Sequence, residues 1–488
     1  MAKWIFFSAF LSAFLFFTIF SHAQIDTFDL SLYKLPELER HQLDFSLDAG
    51  GSENDAFNEY YEFGEIVEYQ NNRSDFGSSI GGTYKSYYNS RDYQGNHRFS
   101  LGFDADLSHQ NSEKPERYQE LNEDFGVSLS GKSNNRFYSD NLYYLATNLS
   151  FGVSTRFRNA ERKWDTVDNF RNSVDESRAM YISLPVSAGK GRIEPLRDAR
   201  MAVYIMDQLS RNGKLNRKPT DEEILDFARL IAEIKNERFF DARLRRVYEM
   251  TRLDSFLREN DLAGKQDIGY YTTMNDYWRY ANNPYRGSGS RFSIGIDPSY
   301  VSNYSFDETR EPGDNNKNIS TWRRIEIKVR LRYAYEKPHN LYWQSSFRGN
   351  AAFGREWRRR ESVISENIRH RGNQVFNSNV NYNLRWYPDS RTWFKFNIGG
   401  SYEQEFHPDK QYEDFREFLD WGDNTNFNVH SGVSGYFYLS PQVRLEVNYG
   451  LWYWDDSRPI RDFPDHGYKI SHKQWEYHFS FDIDYSLF

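Results

Sequence analysis

No cysteine occurs anywhere in the 488 residues. Its absence excludes disulfides, thiolate metal sites, a cysteine nucleophile and lipid attachment at an N-terminal cysteine. Leu, Ile and Val are scarce for a packed globular interior, and hydrophobic residues reach only 38%. Beyond the first 23 residues, no run approaches the roughly eighteen uncharged apolar residues that a spanning helix requires. No nucleophile or metal signature is specific enough to name a reaction, and H-E-x-x-H is absent. No cofactor is expected. The net charge of −8 is modest and gives no reason to expect nucleic acid.

What is present is aromatic. Phe, Tyr and Trp make up 18% of the chain, nearly half of its apolar residues. Low hydropathy alone would suggest disorder, but abundant aromatics argue against it. Modest hydropathy with an aromatic excess suits a barrel in lipid, where only alternate residues touch the membrane. The first residues, "MAKWIFFSAFLSAFLFFTIFSHAQ", carry Lys3, an apolar run from Trp4 to Phe20, and small Ser21 and Ala23. They predict an export signal over 1–23, cleaved before Gln24, followed by a lead-in over 24–40.

Alternation dominates the rest. The last stretch, "WEYHFSFDIDYSLF", sets Trp475, Tyr477, Phe479, Phe481, Ile483, Tyr485 and Leu487 on one face. Glu476, His478, Asp482 and Asp484 lie on the other. Parity of this kind marks a strand with one apolar and one wet face. Read so, the chain forms about fourteen antiparallel strands, an even number as single-chain bacterial barrels require. Strands one to six fall within 41–191 and strands seven to fourteen within 290–488. Tight turns such as "YQGNH", "EKPHN" and "YPDSR" follow even strands. Longer polar connections, among them 51–72, 159–175, 304–318, 355–372 and 405–424, follow odd strands. Short periplasmic turns alternating with long external loops are the expected asymmetry. The fold class expected is thus an all-β transmembrane barrel, closed because backbone groups in lipid need partners.

Between strands six and seven the period changes. Residues 192–262 predict a helical periplasmic insert of three amphipathic helices. The first carries Ala202, Val203, Ile205, Met206 and Leu209; the second opens on a Thr220–Glu223 capping box. The third, over about 240–259, offers Leu244, Val247, Tyr248 and Phe256. A connector, 263–289, follows, with aromatics suited to plugging the lumen or lying at the membrane interface.

The candidate functional residues line the wet face. Strand eight directs Arg324, Lys328, Arg330 and Arg332 inward. Acids gather near the seam: Asp44 and Asp48, Asp104 and Asp106, Glu476, Asp482 and Asp484. A basic wall facing an acidic one would focus a field across a pore and orient polar solutes. His430 and His478 share the wet face with Ser434 and Ser480, which admits a hydrolase, the weakest reading. An arginine-rich loop around 355–371 could meet phosphorylated lipid. An acidic loop with Asp409, Glu413, Asp414, Glu417 and Asp420 matches no calcium-binding spacing.

With its signal, alternating strands, tight Pro/Asp turns and terminal Phe488, the chain resembles outer-membrane β-barrel proteins of Gram-negative bacteria. The turns "YPDSRTWFKF" and "LSPQVRLEV" are similar to those of Bacteroidota porin-like proteins. One departure is that Phe488 follows Leu487, out of register with the apolar face. The resemblance implies an outer-membrane location, contact with lipid and with barrel assembly machinery, and a passive channel for small polar solutes. Residues 25–40 are too few for an N-terminal plug domain. The alternative is a barrel anchor whose insert, 192–262, docks a periplasmic partner or cell-wall polymer.

Overall fold

A computed structural model describes residues 28–485, except 63–64, 115–116, 166–169, 238–241, 282–284, 363–366, 407–423, 440–442 and 462–466. The signal, the acidic 409–420 loop and Phe488 lie outside the described residues.

One antiparallel sheet holds every strand. Its order follows the chain: β1 (Leu38–Glu62), β2 (Glu65–Asn89), β3 (Tyr93–Lys114), β4 (Tyr118–Tyr138), β5 (Tyr143–Trp164) and β6 (Phe170–Ser183). After the helices come β9 (Gly287–Glu311), β10 (Asp314–Pro338), β11 (Trp343–Ser362), β12 (Asn367–Trp386), β13 (Thr392–Phe406), β14 (Asn424–Tyr438), β15 (Val443–Arg461) and β16 (Gly467–Tyr485). Two short strands lie off this path. β7 (Val186–Lys190) pairs with β5 and β9, as β6 does, and in the same register. It is β6 resumed after Leu184 and Pro185, because proline has no N–H for the ladder. β8 (Ile193–Pro195) caps the start of β9. The fourteen long strands expected from parity are present, and the helical insert lies between the sixth and seventh of them, at the expected place.

The faces follow parity as well. On β10, Ile325, Ile327, Val329 and Leu331 are 43–51% exposed, whereas Lys328 between them is 6% exposed. One face of the sheet is apolar and bare; the other is polar and crowded.

Two expectations need correction. The long connections are largely strand. β1 and β2 pair as far as Glu62 and Glu65, and β9 and β10 as far as Glu311 and Asp314. A strand of 25 residues reaches about 80 Å, against a hydrocarbon core of about 30 Å. Where both faces of a sheet meet water, nothing requires alternate residues to be apolar. The hydropathy signal stops there while the backbone ladder continues. Second, no pairing among the described residues closes the sheet. Among the described residues β1 pairs only with β2 and β16 only with β15. Alternation specifies which face a residue occupies, not which edges meet.

The tight turns and the helices share one end, here the near end. Four helices form it: α1 (Arg197–Arg211), α2 (Asp221–Asn236), α3 (Ala242–Glu259) and α4 (Ile268–Tyr280). Their core joins Met201, Ile205 and Leu209 of α1 to Ile224, Phe227 and Ile231 of α2. The capping box is present: Thr220 N–H donates to Glu223 Oε2 (2.8 Å) and Glu223 N–H to Thr220 Oγ1 (3.3 Å). α4 replaces the expected connector. Asp267 caps it, and Tyr270, Met274 and Trp278, spaced by four, enter the same core. The stripe expected on α3 is corrected in part, since Tyr248 and Phe256 pack on the core as expected. Leu244 and Val247 are exposed, while Leu253 and Leu257 are buried beside Glu249. The buried stripe includes a carboxylate, which Arg245 and Arg246 neutralise, and so escapes a hydrophobic pattern.

Candidate functional site

The near end is built around a buried arginine. Arg286, just before β9, is fully buried. Its guanidinium donates to Leu341 O, Asn340 O and Trp343 O of the β10–β11 turn and to Gln344 Oε1. It also stands 4.9 Å from the ring of Tyr387, at the end of β12. Arg200 of α1 stands 4.6 Å from the same ring. Burial, with Arg200 nearby, pulls Arg286 down to about 10, so it stays cationic at neutral pH. Two further arginines act at the same end, Arg192 from the β7–β8 link and Arg391 on the helices. Arg192 donates to Ser90 O (2.8 Å) and Arg91 O (2.9 Å) in the β2–β3 turn. Arg391, between β12 and β13, binds Asp276 of α4 at 2.6 Å. Tyr280 of α4 meets Tyr438 at the end of β14, ring centres 5.6 Å apart. The helices themselves therefore touch turns from the end of β10 to the end of β14, all at one end. None of these fasteners is foreshadowed by local pattern; their partners lie tens of residues away.

The polar face carries the residues expected to line a pore. Arg330 and Arg332 both pair with Asp297 on β9, the latter at 2.8 Å. Lys328 pairs with Glu326 (2.5 Å), and Arg324 approaches Glu356 on β11 (3.8 Å). The cations of β10 thus each have a carboxylate on their own or an adjacent strand. Asp44 is bound by Lys85 (2.8 Å) and Asp484 by Arg444 (2.5 Å). Asp48 faces Ser79, Glu476 faces Trp452, and Asp482 faces Glu446 across the ladder. Such short local pairs spread the charge along the wall instead of setting one wall against another.

A row of acids runs across the neighbouring strands. Asp106, Asp124, Arg158, Asp175 and Asp307 are successive register partners from β3 to β9. Asp104 lies one step along the same face. Arg156 holds Asp124 at 2.7 Å and Asp106 at 3.9 Å. Adjacent strands sit about 4.8 Å apart, so guanidinium groups between carboxylates relieve like-charge repulsion.

Reactive chemistry finds little support in this geometry. His430 Nε2 lies 3.2 Å from Asn381 Nδ2, and His478 stands edge-on to Trp452. Among the described residues neither bonds to Ser434 or Ser480, and no group of His, Asp or Glu converges as metal ligands would. Two stretches match enzyme motifs by spacing alone: "GSSIG" at 77–81 and "GVSLSGKS" at 126–133. Both lie within uninterrupted strands, β2 and β4. A nucleophile elbow or phosphate loop needs a strand, a turn and a helix. Neither stretch has them. The arginine-rich 355–371 region divides between β11 and β12, and Arg358 there pairs with Glu405 at 3.1 Å.

No family model and no curated protein matches the chain. Among solved structures, the translocator domain of the autotransporter NalP from Neisseria meningitidis aligns at 8% identity, over 81% of this chain and 86% of that one, with a TM-score of 0.21. The transport unit of the autotransporter AIDA-I from Escherichia coli aligns at 8% identity, over 87% and 94%, with a TM-score of 0.24. Neither superposition is close enough to bear on function.

Proposed function

We propose that the chain is an outer-membrane β-barrel that forms a channel for small polar solutes, capped at its periplasmic mouth by the helical domain. The apolar face meets lipid, the polar face lines the lumen, and β1 meets β16. One observation carries the capped reading: the helices meet three separate turns of the same end, with Leu341 of the β10–β11 turn in their core, Asp276 paired with Arg391 before β13, and Tyr280 against Tyr438 at the end of β14. A domain held to only one turn would hang beside the mouth. Held to turns across the strand order, it lies over it. Solute passage then requires the cap to shift, so this is a gated channel and not a plain sieve. The reading assigns the protein no bond-making chemistry.

Planar-bilayer recording tests it. The intact protein is expected to pass little current. A form with residues 197–281 replaced by a short glycine-serine linker is expected to pass a large, steady one. Equal currents from both would remove the cap from the account; silence from both would remove the channel.

One observation favours a second reading, an anchor that docks a partner. Leu244 and Val247, a turn apart on α3, are each 65% exposed. Loss of a co-purifying periplasmic protein on changing both to Glu, with the current unaltered, would support it.

A further inference from the structure

The polar face is not uniformly charged. Along β12, β13, β14 and β15, alternate positions over 379–383, 397–401, 428–432 and 450–454 are register neighbours. They hold asparagine, glycine, serine, histidine and tryptophan, and no acid, lysine or arginine. The same face across β3 to β9 holds the row of aspartates and arginines. An uncharged panel thus shares one wall with a strongly ionic one.

Two rings lie flat on this panel. A Cβ built on Gly450 would collide with the benzo ring of Trp452, so the indole lies along the wall in the space glycine leaves. At Gly399 the same Cβ would sit 2.6 Å from His430 Cε1. Both glycines are buried beneath these rings. Any side chain there would lift the ring off the wall. With one face against the sheet, the indole offers its other face to the interior. Around it stand amides. Asn383 donates to Asn381, which lies against His430, and Asn428 donates to Ser401. Asn397 is half-buried and, among the described residues, its amide makes no hydrogen bond within the chain.

We infer that this panel binds neutral oligosaccharides, an inference that rests on the channel reading and names its solute class. A sugar ring has an apolar face of C–H groups and a rim of hydroxyls that both donate and accept. A flat aromatic ring takes the first. Amides, which carry both a donor pair and an acceptor, match the second. Ions would be drawn instead to the aspartate and arginine rows, because the panel itself holds no charged side chain and only Arg348 and Glu476 flank it in register, one at each edge.

Titration calorimetry on the full chain in detergent tests the inference, with maltohexaose, cellohexaose and mannohexaose as probes. Oligogalacturonate and hexaglycine serve as the charged and peptide comparisons. At least one neutral saccharide is expected to bind, and more tightly than either comparison. Trp452→Ala is expected to weaken that binding about tenfold, the loss of one stacking surface. Gly450→Ala, which displaces the ring, and Asn397→Asp should weaken it too. If Trp452→Ala loses its strand signal in circular dichroism, Asn397→Asp carries the test. Failure of all three saccharides to bind, tighter binding of hexaglycine, or unchanged affinity in the folded variants would overturn the inference. Bilayer current from the same preparation separates the two claims. Current without saccharide binding sinks this inference alone; loss of the channel itself sinks the reading beneath it.

Discussion

Arg286 shows how a single side chain can join two parts of a molecule. Its guanidinium is the hydrogen-bond donor for three turn carbonyls. Arg286→Met would leave those carbonyls without it in a buried setting, at a cost of about 3 kcal/mol. The carbonyl of Leu341, whose side chain lies in the helical core, is one of those it holds, so the loss should appear as loosening of the helices. Faster protease cleavage within 197–281, with strand content unchanged, is the expected result; unchanged cleavage would mean the fastener is redundant. Glu223 gives a second case. Its bidentate pair with Arg217 (2.6 and 2.9 Å) and its place in the capping box hold its carboxyl down at about 2. A folded-state value below the ordinary carboxylate range means stability present above about pH 4.3 and lost as pH falls toward 2. Thermal melts of the helical signal between pH 5 and pH 2.5 should show that decline, and Glu223→Gln should flatten it. The capping box was legible because its partners lie three residues apart. Arg286 was not, because its carbonyl partners lie 54 to 57 residues away.

Elements were legible where lipid imposes a pattern and obscure where water relaxes it. Strands appear wherever Leu, Phe, Ile and Val alternate, as from Ile325 to Leu331. The same strands continue unseen through polar stretches such as 51–62, where the hairpin ladder alone holds them. That difference is measurable. Alternate backbone amides over 50–59 should exchange slowly with deuterium, since in an antiparallel ladder every second residue bonds to its β2 partner. Exchange at loop rates would mean the hairpin exists only as far as the lipid does. Helices followed a similar rule. α2 buries a purely apolar stripe, α1 an apolar stripe with Asp198, Arg200 and Asp207 beside it, and both were read correctly. α3 buries Glu249 and Asp254 with their arginines alongside Leu253 and Leu257. Hydrophobic periodicity therefore found Tyr248 and Phe256, which pack on the core, but joined to them the exposed Leu244 and Val247. α4 was read as connector because tyrosine, threonine and asparagine dominate it, yet the Asp267 cap and three buried side chains suffice to hold it.

At the scale of the whole molecule the open question of the wall is its seam. β1 and β16 expose one bare edge each, over strands of 25 and 19 residues. In hydrocarbon each unpaired backbone group costs several kcal/mol, so two open edges are untenable there. The geometry suits their union. With an even number of crossings, β1 leaves the near end and β16 returns to it, which makes them antiparallel. Both carry an apolar row of one parity, Leu43, Phe45 and Leu47 on β1 and Phe479, Phe481 and Ile483 on β16, each highly exposed. Membership of a wall could be read from sequence because parity is local. Closure could not, because the two edges lie more than 400 residues apart and no pattern in either names the other. The absence of native cysteine makes the seam directly testable. Leu43→Cys, Phe45→Cys and Leu47→Cys, each combined in turn with Phe479→Cys, Phe481→Cys or Ile483→Cys, form a small grid of double variants. In a membrane at least one combination is expected to cross-link on oxidation, at the pair brought within disulfide reach, a Cα separation of about 4.4–6.8 Å. A contiguous diagonal of cross-linking pairs would also give the register of the seam. If no combination reacts, while a control pair placed across the β1–β2 ladder does, the wall is open in the bilayer. The lumen, and the solute panel within it, would then have no enclosure.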